Sequence, residues 1–350
     1  GPSLYLKLSA ALLQQKKDAE AMDVLTEGAA QREALPGILA FCFNHGREFI
    51  DTKQVARSIP LFQFMASHAP VERARFYCLL GELFVELGQT NSAMDNFKAA
   101  VGQEQTFPEA FVQLADLQFD TARDGKEAGR TLEQGQTRFP DSPAILFALA
   151  YLDHMTGRHE DAIPLLARIR EMMGKTGDEK LSSGFYLLCG SVFERTGRTD
   201  EAEKVFLEGI AVYPDAAQML NYLAYMWADK NLRLDEGLIF VQKALQLEPE
   251  NGAYIDTLGW IYFRQGKLDA ALEHVEKADR LMPADPTVKE HLGDIHHAKG
   301  DAARAVEFWK ASFMMDPDNA AVRGKLETQG VDTKKLPRKP PAAKAQDAGG

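Results

Sequence analysis

The sequence predicts an all-α protein, a solenoid of about nine stacked helix pairs without a β-sheet. Two observations carry this. A 34-residue pattern recurs along nearly the whole chain, and a fixed period of that size marks stacked supersecondary units in place of one globular core. The same slots also hold the same kinds of residue. In Gly252–Asp285 they are Leu258, Gly259, Tyr262, Gly266, Ala271, Ala278 and Pro283. In Pro286–Asn319 they are Leu292, Gly293, His296, Gly300, Ala305, Ser312 and Pro317.

Each slot has a physical reason. The Leu-Gly or Leu-Ala pair lies midway along a first helix, where a small residue lets a second helix approach. The aromatic residue after it fills the gap between the two helices. The next Gly lies past the helix end, where a positive φ is cheap only for Gly. The small residue of the second helix again permits close packing, and Pro ends the unit because it cannot continue a helix.

In chain order, the opening stretch fits the pattern through Ala21 and Leu25. Leu39–Glu72 carries Gly46, Phe49, Phe62 and Pro70, and Ala74–Phe107 carries Leu80, Gly81, Phe84, Gly88, Ala93, Phe97 and Ala100. Pro108–Ser142 carries Leu114, Ala115 and Pro140, with an irregular middle around Asp124 and Gly125. Pro143–Ser182 carries Leu149, Ala150, Gly157, Ala162 and Leu166, then a longer exit with Gly174 and Gly177; the extra residues 174–182 predict a longer loop or a shift in superhelix path. Ser183–Ala216 carries Gly190, Phe193, Gly197, Ala202, Phe206 and Pro214. Ala217–Asn251 carries Leu223, Ala224, Trp227, Ala244 and Pro249, with one residue inserted in its turn. The spacing therefore divides the chain into N-terminal repeats over 2–182 and C-terminal repeats over 183–319. A capping helix is expected over 320–330. The Pro-, Ala- and Lys-rich stretch 331–350 has five Lys/Arg against two Asp and reads as a disordered tail.

Composition narrows the function. A net charge of −11 argues against a general nucleic-acid binder, which needs a basic surface to displace counterions. No uncharged apolar run is long enough to span a membrane. Cys42, Cys78 and Cys189 lie far apart on first helices, without CxxC spacing, and read as buried thiols. Gly1-Pro2-Ser3 reads as a protease-cleavage scar, so native residues are expected upstream. Glu290, His291, Asp294, His296 and His297 invite a metal reading, but all sit on one helix and a tight site draws ligands from several directions. No phosphate loop, nucleophile elbow or HExxH is present. No metal, cofactor or catalysis is expected.

This pattern resembles the tetratricopeptide repeat (TPR) family over roughly residues 2–319. The resemblance implies a right-handed superhelix with the first helices lining a concave groove, and positions 2, 5, 9 and 12 of each repeat facing into it. Those positions hold Phe43, Arg47 and Ile50; Cys78, Glu82 and Val85; Asp116 and Phe119; and Phe147, Tyr151 and His154. Further on they hold Ser191 and Glu194; Asn221 and Tyr225; Asp256, Trp260 and Phe263; and Glu290, Asp294 and His297. Aromatic residues lining a groove suit a bound peptide, although each could equally pack against the neighbouring repeat. Trp260 is the leading candidate, because Tyr262 already fills the inter-helix slot of its repeat. The partner-binding set expected from the sequence is Tyr225, Asp256, Trp260, Phe263, Asn221, Glu290, Asp294, Tyr151 and Phe147. Its acids favour a protein or peptide segment with apolar and basic residues. Chaperone-tail binders of the family use Lys and Asn at these positions; only Asn221 fits, so that role is not expected.

Residues 220–237 and 256–269 (Leu220-Asn221-Tyr222-Leu223-Ala224-Tyr225, then Asp256-Thr257-Leu258-Gly259-Trp260) look like the C-terminal repeats of bacterial TPR proteins, including envelope lipoproteins that act as protease adaptors. That resemblance implies a noncatalytic adaptor in the periplasm, with an outer-membrane lipid anchor as one form. A cytoplasmic scaffold, or the recognition arm of an enzyme, is the alternative.

Overall fold

The computed structural model describes residues 2–123, 125–176 and 181–337. Among them every regular element is a helix, and the helices come in pairs. The pairs are α1 (Pro2–Gln14) with α2 (Asp18–Ala29), α3 (Leu35–Asp51) with α4 (Val55–His68), and α5 (Arg73–Glu86) with α6 (Thr90–Val101). Next come α7 (Pro108–Ala122) with α8 (Lys126–Arg138), and α9 (Pro143–Met155) with α10 (His159–Thr176). Then follow α11 (Ser183–Arg195) with α12 (Thr199–Val212), and α13 (Ala217–Asp229) with α14 (Leu234–Leu247). The last are α15 (Gly252–Arg264) with α16 (Leu268–Leu281), and α17 (Pro286–Ala298) with α18 (Ala302–Met315). A short α19 (Ala320–Thr328) and a 3₁₀ turn at Thr333–Lys335 end the described chain. The helices fall into two compact units, Gly1–Asp178 and Glu179–Gly350.

Within each unit the sequence logic is visible in the packing. Both helices of a pair pack together, and each second helix also packs on the first helix of the next pair. Position 8 of the first helix meets position 24 on the second. Gly46 faces Phe62, Gly81 faces Phe97, Gly190 faces Phe206 and Gly293 faces Trp309; a Cβ on Gly81 would stand 2.4 Å from the Phe97 ring. Where position 8 is Ala115 or Ala150, position 24 is the smaller Thr131 or Leu166. The turn after the first helix needs one left-handed residue at position 15. Gly88, Gly157, Gly197, Gly266 and Gly300 supply it, while Lys16, Lys53 and Asn231 adopt it at some strain.

The core is a succession of clusters between repeats rather than one centre. The cluster of α5–α7 includes Cys78, Phe97 and Leu114; that of α15–α17 includes Ile255, Val275 and Leu292. All three cysteines are buried and free, and burial pushes the Cys42 and Cys78 thiols up to about 12. Position 3 of the first helix is where the preceding pair of the same unit packs. Phe76, Ala110, Ile145, Met219, Tyr254 and Val288 occupy it and are 0–6% exposed. In α1 the same position is Leu4, exposed at 66%, with Leu8 one turn on at 46%.

Two expectations change. Gly174, read as part of a loop, lies inside α10; residues 177–180, including Gly177, lie outside the described residues. Residues 331–337, read as the start of a disordered tail, instead place Val331 and Leu336 against the α18–α19 cluster. The remainder of that stretch, and Asp124, lie outside the described residues. No described helix is long and apolar enough to cross a membrane.

Candidate interaction surface

The inner positions 5, 9 and 12 behave differently in the two units. In the second unit most of them are consumed by the protein itself. Trp260 is only 6% exposed, stacked between Phe263 (centroids 4.7 Å apart) and His291 (4.0 Å, rings 11° from parallel). His291 Nδ1 lies 3.0 and 2.9 Å from the two Asp256 carboxylate oxygens, with both side chains buried. Burial pushes the His291 imidazole down, but the carboxylates of Asp256, Asp294 and Glu290 outweigh it and raise the pKa above the ordinary value. Tyr225 stands 6.2 Å from the His291 ring, half-buried; burial first, then Asp229, Asp256 and Glu290, raise its phenol.

Glu290 and Asp294 are likewise occupied. Lys325 of α19 donates to both at 2.7 Å, Asn319 Nδ2 donates to Glu290 at 2.9 Å, and Trp309 Nε1 donates to Asp294 at 2.9 Å. The expectation that Trp260 is spare for a partner, beside an acidic groove of Asp256, Glu290 and Asp294, is therefore corrected. Trp260 is core, His291 pairs with Asp256, and Lys325 neutralises Glu290 and Asp294. Asn221 is half-buried, and its Oδ1, like Trp260 Nε1, is shut away from solvent without a hydrogen-bond partner.

A rule joins these contacts, and the sequence reading missed it. An inner acid of one repeat meets position 6 of the next first helix. Gln113 Nε2 donates to Glu82, Tyr222 Oη to Glu194 at 3.4 Å, His291 faces Asp256, and Lys325 meets Glu290 and Asp294. The signal was present as a donor-bearing residue at position 6, one period downstream of each acid.

In the first unit three large apolar side chains at inner positions stay exposed. Phe43 at position 5, Val85 at position 12 and Tyr151 at position 9 are exposed at 40%, 49% and 45%. Phe147 is half-buried beside them on α9, one turn before Tyr151. In the second unit the large exposed apolar side chains described are Val212, Leu232, Ile239, Leu247 and Leu281, and none lies on a first helix. Of the histidines weighed for metal, His296 stacks on Phe308 (5.3 Å, 8°) and His297 tilts against Trp309. Among the described residues no group of three metal-ligating side chains converges.

Helix pairs in which each second helix also packs on the next first helix of the same unit define a repeat scaffold. Several of the repeats match the tetratricopeptide repeat. Models described as "Tetratricopeptide repeat" match residues 189–252, 257–319 and 74–106. The chain is 30% identical over 189 residues to the TPR repeat-containing protein PA4667 of Pseudomonas aeruginosa. That match takes in 54% of this chain and 31% of the relative, so the chain spans about a third of the relative's length. Among solved structures, a tetratricopeptide repeat protein from Parabacteroides merdae superposes with a TM-score of 0.58 at 17% identity, covering 73% of this chain and 97% of that one. The APC/C hetero-tetramer Cut9–Hcn1 gives the same TM-score and identity, over 88% of this chain and 58% of that one. Both share the fold.

Proposed function

We propose that this chain is a noncatalytic adaptor that holds a segment of another protein against the inner face of its first unit. Tetratricopeptide repeats serve protein–protein interaction. One observation selects the surface: Phe43, Val85 and Tyr151 put exposed apolar side chains at inner positions of three different repeats. Exposed aromatics in a row are the usual anchors of a bound segment. Of the residues expected from sequence, Tyr151 and Phe147 belong to this surface.

A photo-crosslinking amino acid placed in turn at Phe43, Val85, Tyr151 and Ile239 tests the surface in cells of the source organism. The first three should capture a common partner, and Ile239, exposed at 63% in the second unit, should not. Capture at Ile239 alone, or equal capture at all four, would remove the inner face from the function.

The compartment belongs to the same proposal: a cell-envelope adaptor for a protease or its substrates, working in the periplasm. The likeness of residues 220–237 and 256–269 to envelope TPR proteins supports it, and similarity to a Pseudomonas aeruginosa protein is in keeping with a bacterial source. Fractionating cells that express the native gene decides it, since recovery in the cytoplasm would rule out this part of the reading.

A further inference from the structure

If the inner face of the first unit holds a partner segment, as proposed above, the unmatched carboxylate at its positions 5, 9 and 12 is placed to meet that segment. Six acids occupy inner positions 5, 9 or 12: Glu82, Asp116, Glu194, Asp256, Glu290 and Asp294. Five are matched by position 6 of the next first helix, through Gln113, Tyr222, His291 and Lys325. Asp116 is the exception. It sits at position 9 of α7, equivalent to Glu82 and Asp294, but the next helix carries Ala148 at position 6. A methyl group can neither donate a hydrogen bond nor supply charge.

No lysine or arginine among the described residues pairs with Asp116. Its charged neighbour is another acid, Asp120, which itself faces Arg123 at 3.7 Å. Partial desolvation on the helix-lined face, and then the Asp120 charge, raise the Asp116 carboxyl above its ordinary range. Its carboxylate still reaches solvent and has no counter-charge among the described residues, so an incoming cation meets an unopposed negative charge. The surroundings also suit the stem of a long cationic side chain. Phe119 follows one turn later on α7, and α9, which packs on α7, carries Phe147 and Tyr151. Aromatic faces accept an arginine plane or the methylenes of lysine.

We propose that Asp116 receives a lysine or arginine side chain of the partner segment, whose apolar neighbours lie against Phe147 and Tyr151. Matched acids hold the array together; the unmatched one recognises what the array binds.

A random peptide library displayed on phage, selected on the full chain, supplies the probe. Selected peptides should share a lysine or arginine next to an apolar residue. In titration calorimetry of one such peptide, Asp116→Asn should weaken binding roughly tenfold. Changing the peptide's cation to glutamine should do the same, and both changes together should cost no more than either. Asp116 is exposed, so Asp116→Lys should fold and should select acidic peptides instead. Ala148→Lys, if its helicity is unchanged by circular dichroism, should supply the missing intramolecular cation and also weaken binding. If Tyr151→Ala weakens the peptide but Asp116→Asn does not, the inner face stands and the role of Asp116 falls. If neither change matters, or no peptide is selected, the inner-face reading falls and takes Asp116 with it.

Discussion

At the scale of single residues, the second unit shows how a neighbour one repeat away decides what a side chain does. Trp260 looks spare within its own repeat because Tyr262 fills the inter-helix slot. His291, a full period downstream, turns it into core by stacking on it at 4.0 Å. Trp260→Ala should therefore cost about 3–5 kcal/mol, the usual range for truncating a buried tryptophan, and lower the melting temperature without touching the proposed binding face. The Asp256–His291 pair gives stability a pH signature. Its folded imidazole pKa is raised, so the pair's contribution is complete below the unfolded value of about 6.5. That contribution is lost as pH rises through the folded pKa. Denaturant melts of the wild type should show this loss, and those of His291→Gln should be flat over the same window. Residue types at the repeat slots were legible from sequence because the period reports them. The pairing of Asp256 with a histidine 35 residues away was not, since nothing local in either helix signals it.

At the scale of helices, the packing rule is a glycine opposite a large ring. Gly81→Ala should destabilise by about 1–3 kcal/mol, because a Cβ would stand 2.4 Å from the Phe97 ring and that ring is held on all sides. Adding Phe97→Leu should recover part of the loss, a coupling that a double-mutant cycle in urea measures. The capping helix makes a second case. Lys325 joins α19 to α17 through two partly buried carboxylates, so Lys325→Ala should cost about 1–3 kcal/mol and speed hydrogen exchange in α19. Helix starts and turns were readable from Pro, Gly and the apolar spacing. The loop expected at Gly174 was not correct, because a glycine costs a helix only about 1 kcal/mol and α10 runs on through it.

For the whole molecule, the period is the decisive signal, and by itself it implies an all-α stack of helix pairs. It also places every inner position, which is why Tyr151 and Phe147 were legible as surface. It does not distinguish an open inner face from a filled one. What position 6 of the following repeat decides is whether an inner acid is matched: Gln113, Tyr222, His291 and Lys325 meet theirs, and Ala148 cannot meet Asp116. Sequence similarity to the Pseudomonas aeruginosa protein extends over 54% of the chain, in keeping with a fold whose slots are fixed by packing and whose remaining positions are free to vary.

The first helix of one unit and the last helix of the other are finished differently, and this has a consequence for how each unit comes apart. At one end α19 turns Val322 and Leu326 inward and leaves mostly polar or small residues outside. At the other, Leu4 and Leu8 of α1 stand in water on the side where α5, α7 and α9 each have a neighbour. Stacked repeats within a unit are lost first where they have the fewest neighbours. Under native conditions α1 and α2 should lose deuterium-exchange protection first, and α3 next, giving a gradient that climbs inward through the first unit. A ligand that clamped the leucine stripe would flatten that gradient from a distance.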